Sequence, residues 1–473
     1  MPDTLAIKTQ ERFNARLLRH VRELLTLAWP VMITRAGILT MALADAIMVG
    51  RFSTQELAYL ALGVAPVVTI IVTTVGLMYG TLVATANAFG KQRYTECGSV
   101  WRLSLPYGFA IGVTGAVLCT PGEMFFLFTG QTQELAAGGG VVMIVLGLGL
   151  PANLMFVASN FFLEAIKRPL PGMTAMVAVN LLNILLNWIL VYGHWGSPAL
   201  GAVGSAWATT FGRWVLALGL IAYIWNMRDH AEFGIRKKTI ARWREWSQQR
   251  RLGFAAGASS GVESVAFASL TLFAGWLGTY PLSAYSLGMN LLALIFMTAL
   301  GLGTATAIRV GIAHGRHDHR ELVFAGWTGL GVSTMLMATI GLLLFFFPRL
   351  LASMYTTDIK LIATAAPLIA FTAFVMVADG GQVVISSALR GRGDTWMSTL
   401  AHAVSYVVVM MPLGWLLAIK WERGARGLYE AVLIASVLAV ALLAARFQWL
   451  AKQATDTPVI EGQEVEPRMG DYH

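Results

Sequence analysis

Apolar residues along the chain gather into about twelve long runs, divided by short polar or glycine-rich breaks. The runs lie near 24–50, 57–84, 98–119, 134–157, 171–193, 200–226, 252–277, 283–308, 321–347, 361–389, 396–419 and 427–450. A helix needs ~20 apolar residues to cross ~30 Å of hydrocarbon, and each run supplies that length. In lipid the backbone must satisfy its own hydrogen bonds, so such runs form helices. The pattern predicts an all-α polytopic membrane protein with twelve transmembrane helices.

The only long polar stretch between runs is 227–251, and after it the apolar pattern starts again. The two halves resemble each other. "MVGRFSTQELAYLALG" (48–63) aligns without gaps to "FAGWLGTYPLSAYSLG" (273–288), at an offset of 225 that still holds at Gly76/Gly301 and Gly90/Gly315. "FLEAIKRPLP" (162–171) runs parallel to "ISSALRGRGD" (385–394). Six spans per half give both copies one orientation, so an axis along the membrane normal relates them. The expected organisation is a segment 1–23, an N-lobe 24–226, a linker 227–251, a C-lobe 252–450 and a tail 451–473. GxxxG-like pairs at Gly76/Gly80 and Gly257/Gly261 predict close helix contacts.

Composition fits lipid as the solvent: 56% of the 473 residues are hydrophobic and 12% charged, with mean hydropathy +0.65. The net charge of +9 would suggest nucleic acid in a soluble chain. Here the charges sit in short loops, and no nucleic acid is expected. With the N-terminus inside, 26 of the 34 Lys and Arg fall on one side. The positive-inside rule then puts both termini in the cytoplasm. Residues 1–23 are polar and basic, so the first span is expected to be an uncleaved anchor. Residues 8–25 place Phe13, Leu17, Val21 and Leu24 opposite Arg12, Arg16 and Arg19. That pattern fits either a helix lying on an anionic surface or an extension of the first span. Cys97 and Cys119 lie near opposite ends of one helix, too far apart to pair. There is no nucleotide-binding or zinc-protease motif and no nucleophile–base set, so ATP-driven transport and a membrane-embedded enzyme are disfavoured.

Candidate chemistry lies in ionisable residues inside the spans. Glu263 follows Arg251, and Asp379 precedes Arg390, by distances that put each carboxylate ~16–18 Å from the basic end of its helix. Acids at that depth are costly unless they handle a cation or a proton. Asp45 lies six residues before Arg51, and Asn187 at a similar depth on span five, with Asn183 one turn away. These three predict a second polar cluster. Carboxylates with amide oxygens suit Na⁺, and a protonatable carboxylate suits H⁺. Ser286, Asn290 and Arg35 are further polar positions inside spans. Arg35 is expected either to neutralise an acid or to repel cationic cargo. Arg213 is a second embedded cation. Gly380 and Gly381, next to Asp379, suit either a hinge or close packing.

"DAIMVGRFSTQELAYLALG", "GVESVAFASLTLFAG" and "DGGQVVISSALRGRGD" resemble the multidrug and toxic compound extrusion (MATE) family, and the NorM-like bacterial branch most. The resemblance implies a two-lobe secondary active antiporter that expels cationic amphipathic drugs in exchange for H⁺ or Na⁺. It implies no cofactor beyond that ion and no metal beyond possible Na⁺ at Glu263 and Asp379. Carried over by motif, Asp45 is the N-lobe acid, and Asn183 and Asn187 match the span-five pattern. Two departures remove possible cation ligands and favour H⁺: Ala284-Tyr285-Ser286 replaces a common A-H-Q, and Val375 stands where sodium-coupled relatives can carry Tyr. A monomer in the bilayer is expected. The alternative is a flippase for a lipid-linked saccharide, which shares the architecture.

Overall fold

Helix breaks fall where glycine, proline or a capping side chain interrupts the apolar runs. In this computed structural model the described residues are 2–237, 247–356 and 358–455, with side chains for 16–237, 247–356 and 358–453. Parts of the expected linker (238–246) and tail (456–473) lie outside them, as do the side chains of Arg12 and Phe13.

The first helix, α1 (Pro2–Phe52), is continuous, so the segment before residue 24 extends the first span. Ser53 then caps α2 (Thr54–Gly90), its hydroxyl accepting from the Glu56 amide. Next come α3 (Tyr94–Cys119) and a short α4 (Gly122–Phe128). The fourth pass is broken into α5 (Gln133–Gly147) and α6 (Leu150–Ala165). Gly147, Gly149 and Pro151 explain the break, because two glycines loosen the helix and proline removes a donor. This pass runs to Ala165, well beyond the expected end at 157. The half closes with α7 (Leu170–Leu190) and α8 (Gly201–Trp225).

The second half repeats this order. It comprises α9 (Ser247–Trp276), α10 (Thr279–Gly315), α11 (His319–Phe346), a short α12 (Pro348–Ser353) and α13 (Ile359–Arg392). The eleventh pass starts as α14 (Thr395–His402), widens to π-helical turns at Ala403–Met410, continues as α15 (Met411–Trp415), and widens again at Leu416–Lys420. The last helix is α16 (Gly424–Thr455). Both α2 and α10 have 37 residues and start and end 225 positions apart, as the internal repeat predicts. Among the described residues, 11 helical segments are long and apolar enough to cross a membrane. The remaining pass, the seventh, is α9; it has 30 residues and thus the length, but Gln248, Gln249, Arg250, Arg251, three serines at 258–264 and Glu263 lower its apolarity. It faces protein along α2, which tolerates that polarity.

Each half has its own core. Trp101, Phe156, Phe161 and Phe162 anchor the first, and Tyr285, Tyr406 and Tyr429 the second. Between the halves, α2 lies directly on α9. A Cβ on Gly76 would come 2.7 Å from Gly257 Cα, and one on Gly80 or Gly253 would strike the backbone carbonyl of Gln249 or Leu77. Only glycine permits that approach. Gly261, by contrast, has only Thr73 Oγ1 at 4.0 Å, and a Cβ on Gly275 or Gly278 would meet nothing.

Polar contacts across the seam gather at the end carrying Lys91, Lys167, Arg316 and Arg392. Gln249 donates to Thr81 (3.0 Å) and Ser104 (2.7 Å), and Arg309 donates to the His20 carbonyl (2.7 Å) and Glu23 (3.2 Å). The halves are therefore joined by polar contacts at this Arg-rich end. Cys97 and Cys119 are buried free thiols.

Candidate functional site

The expected first-half cluster is assembled. Asn187 Nδ2 donates to Asp45 Oδ1 at 2.7 Å, and Thr209 Oγ1 donates to Asp45 Oδ2 at 2.5 Å. Asn183 Nδ2 donates to Thr209 Oγ1 at 3.2 Å and its Oδ1 accepts from Asn187 at 3.1 Å. All four side chains are buried. The helical repeat of α7 puts Asn183 and Asn187 one turn apart on one face, toward α1 and α8. Thr209 and the nearby Ser205, both on α8, went unrecognised in the sequence, because a hydroxyl in an apolar helix carries no distinctive pattern. Asn187 Oδ1 is left buried without a protein donor.

The second-half acids also meet, though not by direct bonding. Asp379 is 2% exposed, and its Oδ1 accepts from Gln382, Tyr406 and Ser436, each at 3.3 Å. Tyr406 comes from the π-helical stretch of the eleventh pass. It supplies a tyrosine hydroxyl to the acid from a different helix than the Val375 position suggested. Gln382 Oε1 is buried without a protein donor, as Asn187 Oδ1 is. Glu263 feels the charges of Asp379 and Arg390. A crevice too narrow for water adjoins Asp379, between Leu292, Phe296, Met337 and Met376. Next to Asp379, α13 runs unbroken through Gly380 and Gly381, and a Cβ on Gly380 would come 2.7 Å from Met337 Cγ. Close packing, not a hinge, accounts for Gly380.

Other candidates lie apart. Asn290 is exposed and donates to the Ser286 carbonyl of its own helix at 2.9 Å; neither residue bonds to Glu263 or Asp379. Arg213 donates to the Leu146 carbonyl at 3.3 Å. Arg35 pairs at 3.5 Å with Glu164, an acid beyond the end of the fourth apolar run. Glu164 is 1% exposed near the end of α6, accepts from Asn160 at 2.6 Å, and so explains Arg35 as a neutralising partner. Arg35 also stacks over Phe161 at 5.2 Å. Removing one member of a buried pair strands the other. Arg35→Ala is therefore expected to destabilise the folded protein by ~3 kcal/mol. Adding Glu164→Gln should restore much of that loss, as measured by thermal unfolding in detergent; an Arg35→Ala protein as stable as wild type would contradict the pairing.

The arrangement thus separates two kinds of acid inside the spans. Glu164 has a guanidinium partner. Asp45, Glu263 and Asp379 have no Lys, Arg or His nitrogen within 4.0 Å among the described residues. An ionised carboxylate in such a place has only a few donors or, for Glu263, the more distant charge of Arg390, so a bound cation or proton changes its energy strongly.

The chain matches the MatE family over residues 30–189 and 256–416, one stretch in each half. It is similar to the probable multidrug resistance protein NorM of Caulobacter vibrioides, with 39% identity over 441 residues, covering 93% of this chain and 94% of the relative. Multidrug resistance protein PmpM of Pseudomonas aeruginosa is 29% identical over 442 residues, covering 91% and 92%. The crystal structure of the eukaryotic MATE transporter AtDTX14 superposes with a TM-score of 0.84 at 19% identity, covering 93% of this chain and 98% of that one. An outward-facing multidrug resistance MATE transporter superposes with a TM-score of 0.83 at 21% identity, over 93% and 98%. These two structures share its fold.

Proposed function

Since this multi-pass membrane chain belongs to the MATE family, we propose that it is a secondary active efflux antiporter that expels cationic amphipathic drugs in exchange for H⁺ or Na⁺. The observation that carries this reading is the set of three acids inside the spans, Asp45 and Asp379 buried and Glu263 half-buried, with no Lys, Arg or His nitrogen within 4.0 Å among the described residues. Two of them lie beside an amide that gives its NH₂ to the carboxylate and keeps a carbonyl oxygen without a donor. Carboxylate and amide oxygens together suit a hard cation, and a proton on the carboxyl would likewise fill the gap. Val375 and Tyr285-Ser286 stand where a Na⁺ site would gain ligands, which favours H⁺. Glu263 and Asp379 are the coupling acids of the second half and Asp45 that of the first. Asn183, Asn187 and Thr209 hold Asp45 in place. The Arg-rich end faces the cytoplasm of a bacterial inner membrane, in keeping with the loop charges.

Alternating access follows from these parts. In the arrangement described, polar contacts join the halves at the Arg-rich end, and the reading takes this as the state whose acids are loaded from outside. Binding of H⁺ or Na⁺ changes their charge and with it the relative stability of the two lobe arrangements. A ligand moves that balance only through a difference in its affinity for the two states. The acids supply such a difference, because their burial and their neighbours change as the halves move.

The test is efflux of a fluorescent organic cation from proteoliposomes, with a pH or Na⁺ gradient imposed one at a time. Efflux driven by the pH gradient, at a rate ~10-fold or more above gradient-free vesicles, is expected. A protein inert under both gradients, or one that moves a lipid-linked saccharide instead, would refute the reading.

A further inference from the structure

The ion site and the seam are joined by one side chain that the proposed transport cycle has not used. Arg390 lies three helical turns beyond Asp379 on α13, and therefore on the same face. Its guanidinium stacks over the ring of Tyr79, from α2 of the opposite half, at 5.5 Å. Its Nη2 donates at 3.0 Å to Ser259, one turn before Glu263 on α9. Its charge reaches Glu263, and its Nε is sealed from solvent without a partner. No carboxylate lies within 4.0 Å of it among the described residues. One cation is thus held by three weak attractions, to an acid, a hydroxyl and an aromatic face, and the last belongs to the other half.

We propose that Arg390, seated on Tyr79, is the positioning residue through which the charge on Glu263 sets whether the Arg-rich end of the seam is shut. This link rests on the reading of Glu263 as a coupling acid. While Glu263 is ionised, it attracts Arg390 and helps keep the guanidinium on Tyr79. A proton or bound cation at Glu263 removes that attraction. Arg390 then has only a hydroxyl and a ring to offset the loss of water, and the state in which Tyr79 departs and water enters gains weight. Linkage is reciprocal, so parting of the seam in turn eases neutralisation of Glu263. The sign suits an antiporter: the ion-loaded protein turns inward, and the unloaded acid closes the inner end.

The surrounding groups leave Arg390 as the residue that answers to Glu263. From α1 and α6, Arg35 and Glu164 also face Tyr79, but they neutralise each other. Asp379 on α13 and Tyr406 on the eleventh pass also face Glu263, and they bond to each other and not to Arg390. His402 touches Ser259 Oγ at 2.6 Å through Nδ1. Arginine can only donate, so Ser259 accepts from Arg390 and shares its remaining hydrogen-bonding capacity with His402.

The experiment measures lobe separation, not transport. Spin labels are placed at Glu96→Cys, exposed at the start of α3, and Trp396→Cys, exposed at the start of α14. Distance distributions are recorded in nanodiscs while acid, or separately Na⁺, is added. In the wild-type background the separation should lengthen with the coupling ion. Glu263→Gln should be long in every condition. Arg390→Gln should raise the long-to-short ratio ~10-fold without ion and lose most of the ion response. Arg390→Lys and Tyr79→Phe keep the charge and the ring, and should retain the response; Tyr79→Leu should fall between. If the parent and Arg390→Gln proteins respond equally, the link alone is overturned. A parent insensitive to both ions overturns the link together with the coupling reading.

Discussion

Replacing Glu263 with Gln, or Asp379 with Asn, is expected to abolish drug resistance while the protein still reaches the membrane at normal abundance. Each change keeps the shape and removes the charge that a proton or cation answers. Asp379 receives three donors on one oxygen, and the amide of Asn can still accept from Tyr406 and Ser436, so folding should survive. What is lost is the difference between loaded and empty states. Each 1.4 kcal/mol of bias is a factor of ten in population, so losing even ~3 kcal/mol lowers flux ~100-fold. The measure is growth in ethidium or a fluoroquinolone, with membrane abundance checked by immunoblot. Resistance at the wild-type level in both variants would remove these acids from the coupling site.

The second large effect is expected at the seam. Gly80→Val with Gly253→Val places two branched side chains where α2 and α9 backbones touch. Overpacking costs ~1–3 kcal/mol at one site, and here the strain falls on one lobe arrangement only. The arrangement closed at the Arg-rich end should become unattainable, so cysteines placed there become reactive to labels and efflux stops. The control is Gly219→Ala on α8, where a Cβ would meet nothing within 4 Å. It should leave transport unchanged and raise the unfolding temperature slightly, since Gly in a helix costs ~0.5–1 kcal/mol relative to Ala. A double valine variant with wild-type efflux would show that the seam does not need that approach.

Much of this could be read from the sequence because lipid leaves few choices. Apolar runs gave the passes, and the constant offset between "MVGRFSTQELAYLALG" and its second copy foretold equal helices α2 and α10. Asp45, Asn183 and Asn187 were found together because spacing along two helices fixes depth and face. Glu164 was missed because the fourth run becomes less apolar after 157, although Phe161, Phe162 and Leu163 still lie inside the bundle. The hydroxyls of Thr209, Tyr406 and Ser436 were missed for another reason. Which helix stands beside an acid is decided by packing between distant segments, and single polar atoms leave no periodic trace. Asn290 shows the converse: a polar residue at a suitable depth that turns back to its own helix.

The widened turns at Ala403–Met410 carry one more consequence. A π-helical turn holds one residue more than an ordinary turn, so the direction of Tyr406 depends on an extra peptide unit. Deleting one residue upstream, so that regular winding returns, would swing the phenol ~100° around the helix and away from Asp379. Single-codon losses or gains in this segment can therefore retune the acid without altering any residue that touches it, a route to new ion preference that comparisons of aligned side chains alone would overlook.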